Sequence, residues 1–287
     1  MKSELKAQLH MMLIFLIANL LALSLLPAYY IYNNTLGEAG KNPLTPIYYL
    51  FYVILITFLL LLIAKLGKTK LLRGIFYFAI AWAMFYAIFP LFYYFHIPFS
   101  DLISIGISIA LTIWMLKNPE WYIINLVGIL VTVGAALILG LSLSLFPVII
   151  LLSAFAIYDA IAVHMTKHMV ALAENVVEHK LPAMFVLPAK DSYSFKRAKI
   201  EKRKKKGEGR EAYYMGFGDV LIPSILVISA ATTFELLAGL FVLLGSLISM
   251  IFLIFMVNRG KPQPGLPYLN AGALAGLILY ILLFYSG

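Results

Sequence analysis

Apolar residues fill most of the chain in long stretches, separated by short polar or charged breaks. Nine of the stretches have the roughly 17 to 25 residues that a transmembrane helix needs. They fall at residues 10–32, 46–66, 73–95, 100–116, 121–141, 145–169, 213–234, 236–257 and 266–286. Lipid cannot satisfy an open backbone, and no alternating pattern typical of a barrel occurs, so the stretches predict helices. The expected fold class is all-α, a polytopic membrane bundle of about nine transmembrane helices.

Composition supports a membrane protein. Hydrophobic residues make up 63% of the chain and charged residues 12%, whereas a soluble domain carries about a quarter charged residues. We therefore expect residues 1–287 to form a single membrane domain. The chain has no cysteine, which removes disulfides, thiolate zinc sites and a cysteine nucleophile. The first stretch, 10–32, is longer than the apolar core of a signal peptide and is expected to be a retained helix.

The basic residues indicate how the chain is oriented. With nine spans and a cytoplasmic N-terminus, all of the 22 Lys and Arg residues except Lys41 fall on the cytoplasmic side. This asymmetry is the one expected of inside loops. The sequence therefore predicts an integral protein of the cell membrane with its N-terminus cytoplasmic and its C-terminus external.

One long loop divides the chain into residues 1–169 with six spans, the loop at 170–212, and residues 213–287 with three spans. The start of the loop, 170–180, could form a surface helix, and the remainder is expected to be partly disordered. The run Lys202–Lys206 is interpreted as a cytoplasmic anchor that contacts anionic lipid rather than nucleic acid.

Only two of the thirteen acidic residues, Asp159 and Asp219, lie well inside the apolar stretches. An ionisable group within a span is a functional-site candidate because its burial in lipid is unfavourable. Consecutive spans run antiparallel, which places both carboxyls at a similar depth near the cytoplasmic side. The two side chains can therefore meet.

Two adjacent carboxyls suit aspartic proteolysis. They cannot both ionise in a low dielectric, so the pair shares one proton. The ionised partner can take a proton from water while the protonated partner polarises the scissile carbonyl. This chemistry needs no metal, cofactor or covalent intermediate. From the carboxyls alone, a cation or proton-coupled channel or transporter remains an alternative, as does simple helix pairing.

Three short motifs contain these residues or stand close to the last span: one is in the sixth span, one lies near the start of the seventh, and one falls at the beginning of the ninth. They are Tyr158-Asp159, Gly216-Phe217-Gly218-Asp219 and Pro264-Gly265-Leu266-Pro267. In this order, on the sixth, seventh and ninth spans, they resemble the YD, GxGD and PAL motifs of the presenilin and signal peptide peptidase family. The resemblance covers the whole chain and is closest to compact microbial, archaeal members. Gly265 stands where the family usually has alanine.

The resemblance implies an intramembrane aspartyl endopeptidase that cleaves single-span membrane proteins or signal-peptide remnants. Asp159 and Asp219 would be catalytic, and the other residues of the three motifs would contact substrate. Gly216 and Gly218 are expected to allow close helix approach or unwinding. The prolines around Gly265 are expected to interrupt regular helix and line a wet cavity.

Other signals are weaker. His164 and His168 share a helix face but lack the glutamate of a zinc protease motif, so no metal is expected. A prepilin-type peptidase would have fewer spans and lack two of the three motifs. Gly272 and Gly276 form a small-residue pair that predicts close helix packing. The sequence does not fix the oligomeric state.

Overall fold

The computed structural model describes residues 2–33, 69–163, 184–189, 193–196, 211–257 and 263–285. Within these ranges the chain forms eight helices and a two-stranded sheet. In chain order, the elements are α1 Lys2–Asn33, α2 Thr69–Tyr94, α3 Ser100–Lys117, α4 Trp121–Ser142, α5 Leu145–Ile161, β1 Met184–Pro188, β2 Ala212–Gly216, α6 Phe217–Thr233, α7 Leu236–Val257 and α8 Gly265–Phe284.

The helical membrane fold predicted from the apolar stretches is confirmed. Eight of the nine stretches coincide with helices, and the ninth, 46–66, lies outside the described residues. Among the described helices, six are long and apolar enough to cross a membrane. The other two, α5 and α6, are apolar but contain 17 residues each. The predicted count of nine spans therefore stays a prediction.

Helix α6 lies at the centre of the bundle. Every residue from Ile222 to Ala231 is buried, so this helix has no face left for lipid over that length. A helix that is apolar on all sides is typical of such a central position. It packs against α1, α4, α5, α7 and α8. The first turn of α6, which carries Asp219, is thereby fixed against most of the bundle.

Helices α7 and α8 approach each other through glycines. A Cβ atom built on Gly245 of α7 would collide with the backbone of Gly272, and one on Gly276 would collide with the carbonyl of Phe241. No larger side chain fits at these points without separating the helices. The close packing predicted for Gly272 and Gly276 is confirmed.

The segment before α6 is a strand, which corrects the predicted start of the seventh span at residue 213. Strand β2 pairs antiparallel with β1, from Met184 opposite Gly216 to Pro188 opposite Ala212. Helix α6 begins only at Phe217, because Gly216 has an extended backbone. Strand β1 lies in the part of the loop for which the sequence predicts partial disorder. The proposed helix at 170–180 and the basic run lie outside the described residues.

Candidate active site

Asp219 occupies the third position of α6, immediately after the end of β2. Its carboxyl accepts a hydrogen bond from the backbone amide of Gly216, which is the residue that caps the helix. A carboxyl that reaches back to the cap satisfies one of the amides that have no partner within the helix. The side chain remains partly exposed. Asp219 is thus oriented by its own helix N-terminus while keeping access to the surroundings.

Asp159 lies near the end of α5 and is almost fully buried, with 3% of its surface exposed. The backbone amide of Leu266 donates a hydrogen bond to its Oδ2 atom at 3.0 Å. The amide of Gly265 also hydrogen-bonds to this carboxyl. Amides at a helix N-terminus carry a partial positive charge that favours a nearby carboxylate. The start of α8 therefore provides a polar environment for a carboxyl that is otherwise surrounded by apolar helices.

The segment from Pro264 to Pro267 is the beginning of a regular helix, so the expectation of irregular backbone is wrong. Pro264 caps α8, and Gly265, Leu266 and Pro267 form its first turn. Prolines are tolerated here because the first amides of a helix have no partner within the helix. The amides that remain in this turn are free to bond elsewhere, and two of them face Asp159.

The first turn of α8 also contacts Asp219. A Cβ atom on Gly265 would lie 3.3 Å from Oδ1 and 3.5 Å from Cγ of Asp219. Gly265 therefore lies against both carboxyls and Leu266 against that of Asp159, so the two aspartates face the same turn. The two carboxyls are close enough to influence each other electrostatically. The structure thus brings together both acidic residues predicted from the sequence.

A second polar link joins the same helices deeper in the bundle. Asn270 of α8 is 1% exposed and donates from Nδ2 to the carbonyl oxygen of Leu152 on α5, at 2.9 Å. Leu152 lies two turns before Asp159 on the same helix. This bond and the one from Leu266 fix α8 against α5 at two levels.

Phe217, the variable residue of the GxGD motif, anchors this motif to the sheet and to α4. Its ring lies 4.7 Å from that of Phe185 in β1, measured between centroids. A Cβ atom on Gly128 of α4 would come within 2.7 Å of both rings. Gly128 therefore leaves the space in which the two rings pack. Phe217 acts here as a packing residue two positions before Asp219.

The remaining motif residues lie around the aspartates with different exposures. Tyr158 is 70% exposed, whereas its neighbour Asp159 is buried. Pro264 is buried and Pro267 is partly buried. A Cβ atom on Gly218 would meet only Ile222 Cδ1, at 4.0 Å, so close packing against the described residues does not explain this glycine.

The residues that hold the hairpin belong to none of the motifs and were not predicted from the sequence. Asn125 of α4 hydrogen-bonds to β1, and Glu120 at the start of α4 accepts hydrogen bonds from Ser194 and Phe195. A polar Asn inside an apolar stretch is itself a signal that its side chain has a partner within the protein. The hairpin that leads into the GxGD motif is therefore attached to α4.

Metal ligation finds no support in the described part of the chain. There, no group of three or more His, Asp or Glu side chains lies close enough together to hold an ion. His164 and His168 lie outside the described residues.

Comparisons with known proteins agree with this geometry. The family model described as signal-peptide peptidase, presenilin aspartyl protease matches residues 12–286. Two solved structures of a presenilin family intramembrane aspartate protease, in space groups C222 and P2, share 28% sequence identity with the chain. The first has a TM-score of 0.63 and covers 94% of this chain and 96% of its own. The second has a TM-score of 0.67 and covers 96% and 97%. A comparison with curated protein sequences gives no match.

Proposed function

Because the chain belongs to the signal-peptide peptidase and presenilin family of aspartyl proteases, we propose that Asp159 and Asp219 are its catalytic pair. The protein is an integral membrane protein and an intramembrane aspartyl endopeptidase that acts on transmembrane substrates. The observation that carries the assignment is the first turn of α8, which contacts one carboxyl through Leu266 and the other through Gly265. The alternative of a channel or transporter is not retained.

The environment of each carboxyl supports a division of roles. Asp159 accepts hydrogen bonds from two amides at the start of α8, which favours its carboxylate form. Asp159 is therefore assigned as the base that takes a proton from water. Asp219, whose carboxyl accepts a hydrogen bond from a single backbone amide among the described residues, that of Gly216, carries the shared proton and donates it to the scissile carbonyl oxygen.

The bond changes follow from these roles. The water oxygen attacks the carbonyl carbon as Asp159 accepts the water proton, and the carbonyl oxygen takes the proton of Asp219. The resulting tetrahedral diol then collapses. The C–N bond breaks as the nitrogen is protonated by Asp159, and the diol hydroxyl returns a proton to Asp219. The pair ends with the one proton it began with, and no other group needs to enter the reaction.

Strand β2 offers a place for an unwound substrate. Val186 of β1 directs its N–H and C=O away from β2, so its partner Tyr214 directs its own groups to the outer edge of β2. No described residue hydrogen-bonds to them. An extended segment can add to such an edge by main-chain pairing. This edge runs directly into Gly216 and Asp219, whereas the helical start of α8 cannot pair as a strand.

Helix α5 supports lateral entry of the substrate. Only Val148, Leu152 and Asp159 of this helix are buried among the described residues. Ile157 and Tyr158 are 63% and 70% exposed, next to the buried carboxyl. A substrate helix arriving in the plane of the bilayer can contact this face before it unwinds. Single-span membrane proteins and signal-peptide remnants are the substrates proposed.

The orientation of the chain also belongs to the proposal. The distribution of Lys and Arg supports a cytoplasmic N-terminus, an external C-terminus and location in the cell membrane. The division of the chain at the loop 170–212 and contact of its basic run with anionic lipid rest on the same charges. The active site would then open toward the cytoplasmic side.

The catalytic assignment is tested with purified protein in liposomes and a labelled single-span substrate. Asp159→Asn and Asp219→Asn should each abolish cleavage, since an amide of the same shape cannot carry the proton. Asp101→Asn is the matched control, because Asp101 is exposed in the first turn of α3. Retained cleavage in either of the first two variants, with both proteins folded, would refute the pair.

A further inference from the structure

Asn125 of α4 makes both of its hydrogen bonds to one residue of β1. Its Oδ1 accepts from the backbone N–H of Val186 at 2.8 Å, and its Nδ2 donates to the carbonyl oxygen of Val186 at 2.7 Å. A neighbouring strand would form the same pair of bonds with an outward-facing residue. The side chain of Asn125 therefore takes the place of a third strand on the outer edge of β1.

Beyond Val186 this edge soon ends. Pro188, two residues after Val186, has no N–H to donate to a further strand. Val186 is thus the last residue of β1 whose N–H and C=O both point outward, and the side chain of Asn125 hydrogen-bonds to both groups. The hairpin is attached to α4 by hydrogen bonds on one side and leaves its other edge, on β2, open.

Only a side-chain amide of this length fits the role. Asn presents a donor and an acceptor side by side, whereas carboxylates only accept and apolar side chains do neither. The contact joins positions 61 residues apart in the chain, so it fixes tertiary structure rather than a local turn. Asn125 is only partly buried, so packing alone does not account for it.

The hairpin connects Asn125 to the catalytic motif. Phe185 precedes Val186 and stacks against Phe217, which lies between the two glycines of the GxGD motif. Gly128, one turn after Asn125 on α4, leaves the space for both rings. A displacement of β1 along α4 would therefore shift Phe217, and with it the first turn of α6 that carries Asp219.

The segment that follows β1 is attached to the same helix. The carboxylate of Glu120 accepts hydrogen bonds from the Ser194 hydroxyl at 2.7 Å and from the Phe195 amide at 3.2 Å. The N-terminal part of α4, with its cap Glu120, thus holds both β1 and part of the segment that connects β1 to β2. Of these contacts, the one at Asn125 lies nearest to Phe185 and Phe217.

We propose that Asn125 is a positioning residue for proteolysis, which sets the location of the hairpin relative to Asp219. The proposal rests on the catalytic pair proposed above. It assigns to Asn125 an effect on turnover and on the peptide bond that is cut, through β1 and Phe217, without contact with the reacting atoms. Loss of the two hydrogen bonds to Val186 frees β1 to shift along α4.

The test compares Asn125→Ala, Asn125→Asp and the control Thr132→Ala. Thr132 is a buried polar residue on the same helix, and its hydroxyl bonds only to carbonyl oxygens of α4 itself. Cleavage of a single-span substrate is measured as kcat and KM, the products are identified by mass spectrometry, and melting temperatures report the fold. Asp159→Asn is the inactive control for the assay.

We expect Asn125→Ala to lower kcat roughly tenfold to a hundredfold, as small displacements of catalytic groups do, with KM changed less than about twofold. Product masses should show additional cleavage positions. Asn125→Asp keeps the acceptor for the Val186 N–H, so its kcat should fall between that of Asn125→Ala and that of the unchanged protein. Thr132→Ala should cleave at the original position and rate.

Two results would overturn the proposal. One is a folded Asn125→Ala protein with unchanged kcat and products. The other is an equal loss of kcat in Thr132→Ala, which would indicate a general effect of α4. If Asn125→Ala does not fold, the test uses Asn125→Asp, whose side chain has nearly the same size and shape as that of Asn. A folded Asn125→Asp protein with unchanged kcat and products would then overturn the proposal. Activity in Asp159→Asn would instead refute the catalytic pair, so the two failures are distinguishable.

Discussion

The backbone amide of Leu266 and the carboxyl of Asp159 form a 3.0 Å hydrogen bond between residues 107 positions apart in the chain. The donor is one of the amides that a helix leaves without a partner in its first turn. Helix α8 therefore contributes main chain rather than side chains to the candidate active site. Side-chain substitutions that leave this amide in place preserve the contact.

Leu266→Pro should remove that amide while keeping the start of α8, because proline is tolerated in the first turn of a helix. Leu266→Ala is the matched control, since it removes the same buried side chain but keeps the amide. We expect the proline variant to cleave about a hundredfold more slowly than the alanine variant. The measurement is kcat for both proteins at equal folded fractions. Equal rates would show that the hydrogen bond does not contribute to catalysis.

The losses of kcat caused by Asp159→Asn and by Asp219→Asn should not add in the double variant. Each single change is expected to lower kcat on the order of 10⁴-fold, because both carboxyls act on one proton-transfer sequence. Once one partner is an amide, the other has no role left to lose. Single-turnover cleavage by the two single variants and the double variant measures this. A double variant that is slower than the singles by the product of their effects would indicate two independent sites.

Substitutions at Gly265 should depend steeply on side-chain size. An alanine Cβ would lie 3.3 Å from the nearest oxygen of Asp219, which a shift of a few tenths of an ångström relieves. Gly265→Ala should therefore keep most of the activity, in line with the alanine usual in the family. Gly265→Leu should lower cleavage by about a hundredfold, because the larger side chain displaces the carboxyl. Its melting temperature should stay close to that of the unchanged protein.

The contrary outcome at Gly265 is equally clear. If Gly265→Leu cleaves as fast as Gly265→Ala in a folded protein, the space beside Asp219 is not part of the reaction path. The alanine variant serves as the control for any effect of α8 stability, since both replacements fill the same position in the first turn.

The rate should follow a bell in pH. Proteolysis by the pair requires one proton shared between two carboxyls, so activity is lost when both are protonated and when both are ionised. The apparent midpoints belong to the pair rather than to either residue. Initial rates across pH, in liposomes buffered on both sides, measure the profile. A rate that keeps rising through alkaline pH would contradict the shared proton.

The tyrosine pair beside the hairpin provides a control for that profile. Burial raises the pKa of Tyr193 and that of Tyr214 above the ordinary value, and their hydroxyls lie 2.8 Å apart. Because the pKa is raised in the folded state, the contribution of these tyrosines to the free energy of unfolding is fully present below about pH 10, where tyrosine ionises in unfolded chains. This contribution declines at higher pH. Tyr193→Phe should therefore lower stability by about 1 kcal/mol and leave the midpoints of the activity profile unchanged.

The sequence was sufficient for the described helices and for the proximity of Asp159 and Asp219, because both depend on strong physical constraints. Long apolar stretches have few alternatives to a transmembrane helix, and an acidic residue within one needs a reason to be there. The start of α8 was misjudged because prolines at 264 and 267 break a helix interior but not a first turn. Proline alone does not distinguish the two situations.

The hairpin could not be predicted because its strands are short and their partners are distant. Strand β1 has five residues, and its stabilising contacts come from β2 and from Asn125, 61 residues earlier than Val186. Neither hydrophobic periodicity nor local propensity records such pairings. The same holds for the contact between Gly128 and the rings of Phe185 and Phe217, which depends on the tertiary position of α4.

The glycine contacts between α7 and α8 restrict how the active site can adjust. The two helices are in backbone contact, Gly245 with Gly272 and Gly276 with Phe241, so they form one rigid pair. Helix α8 therefore cannot slide unless α7 moves with it. Helix α5 has its principal described contacts only with α6 and α8. Helix α5 is in turn joined to α8 by the bonds from Leu266 to Asp159 and from Asn270 to Leu152, so Asp159 can move relative to these helices only if both hydrogen bonds break.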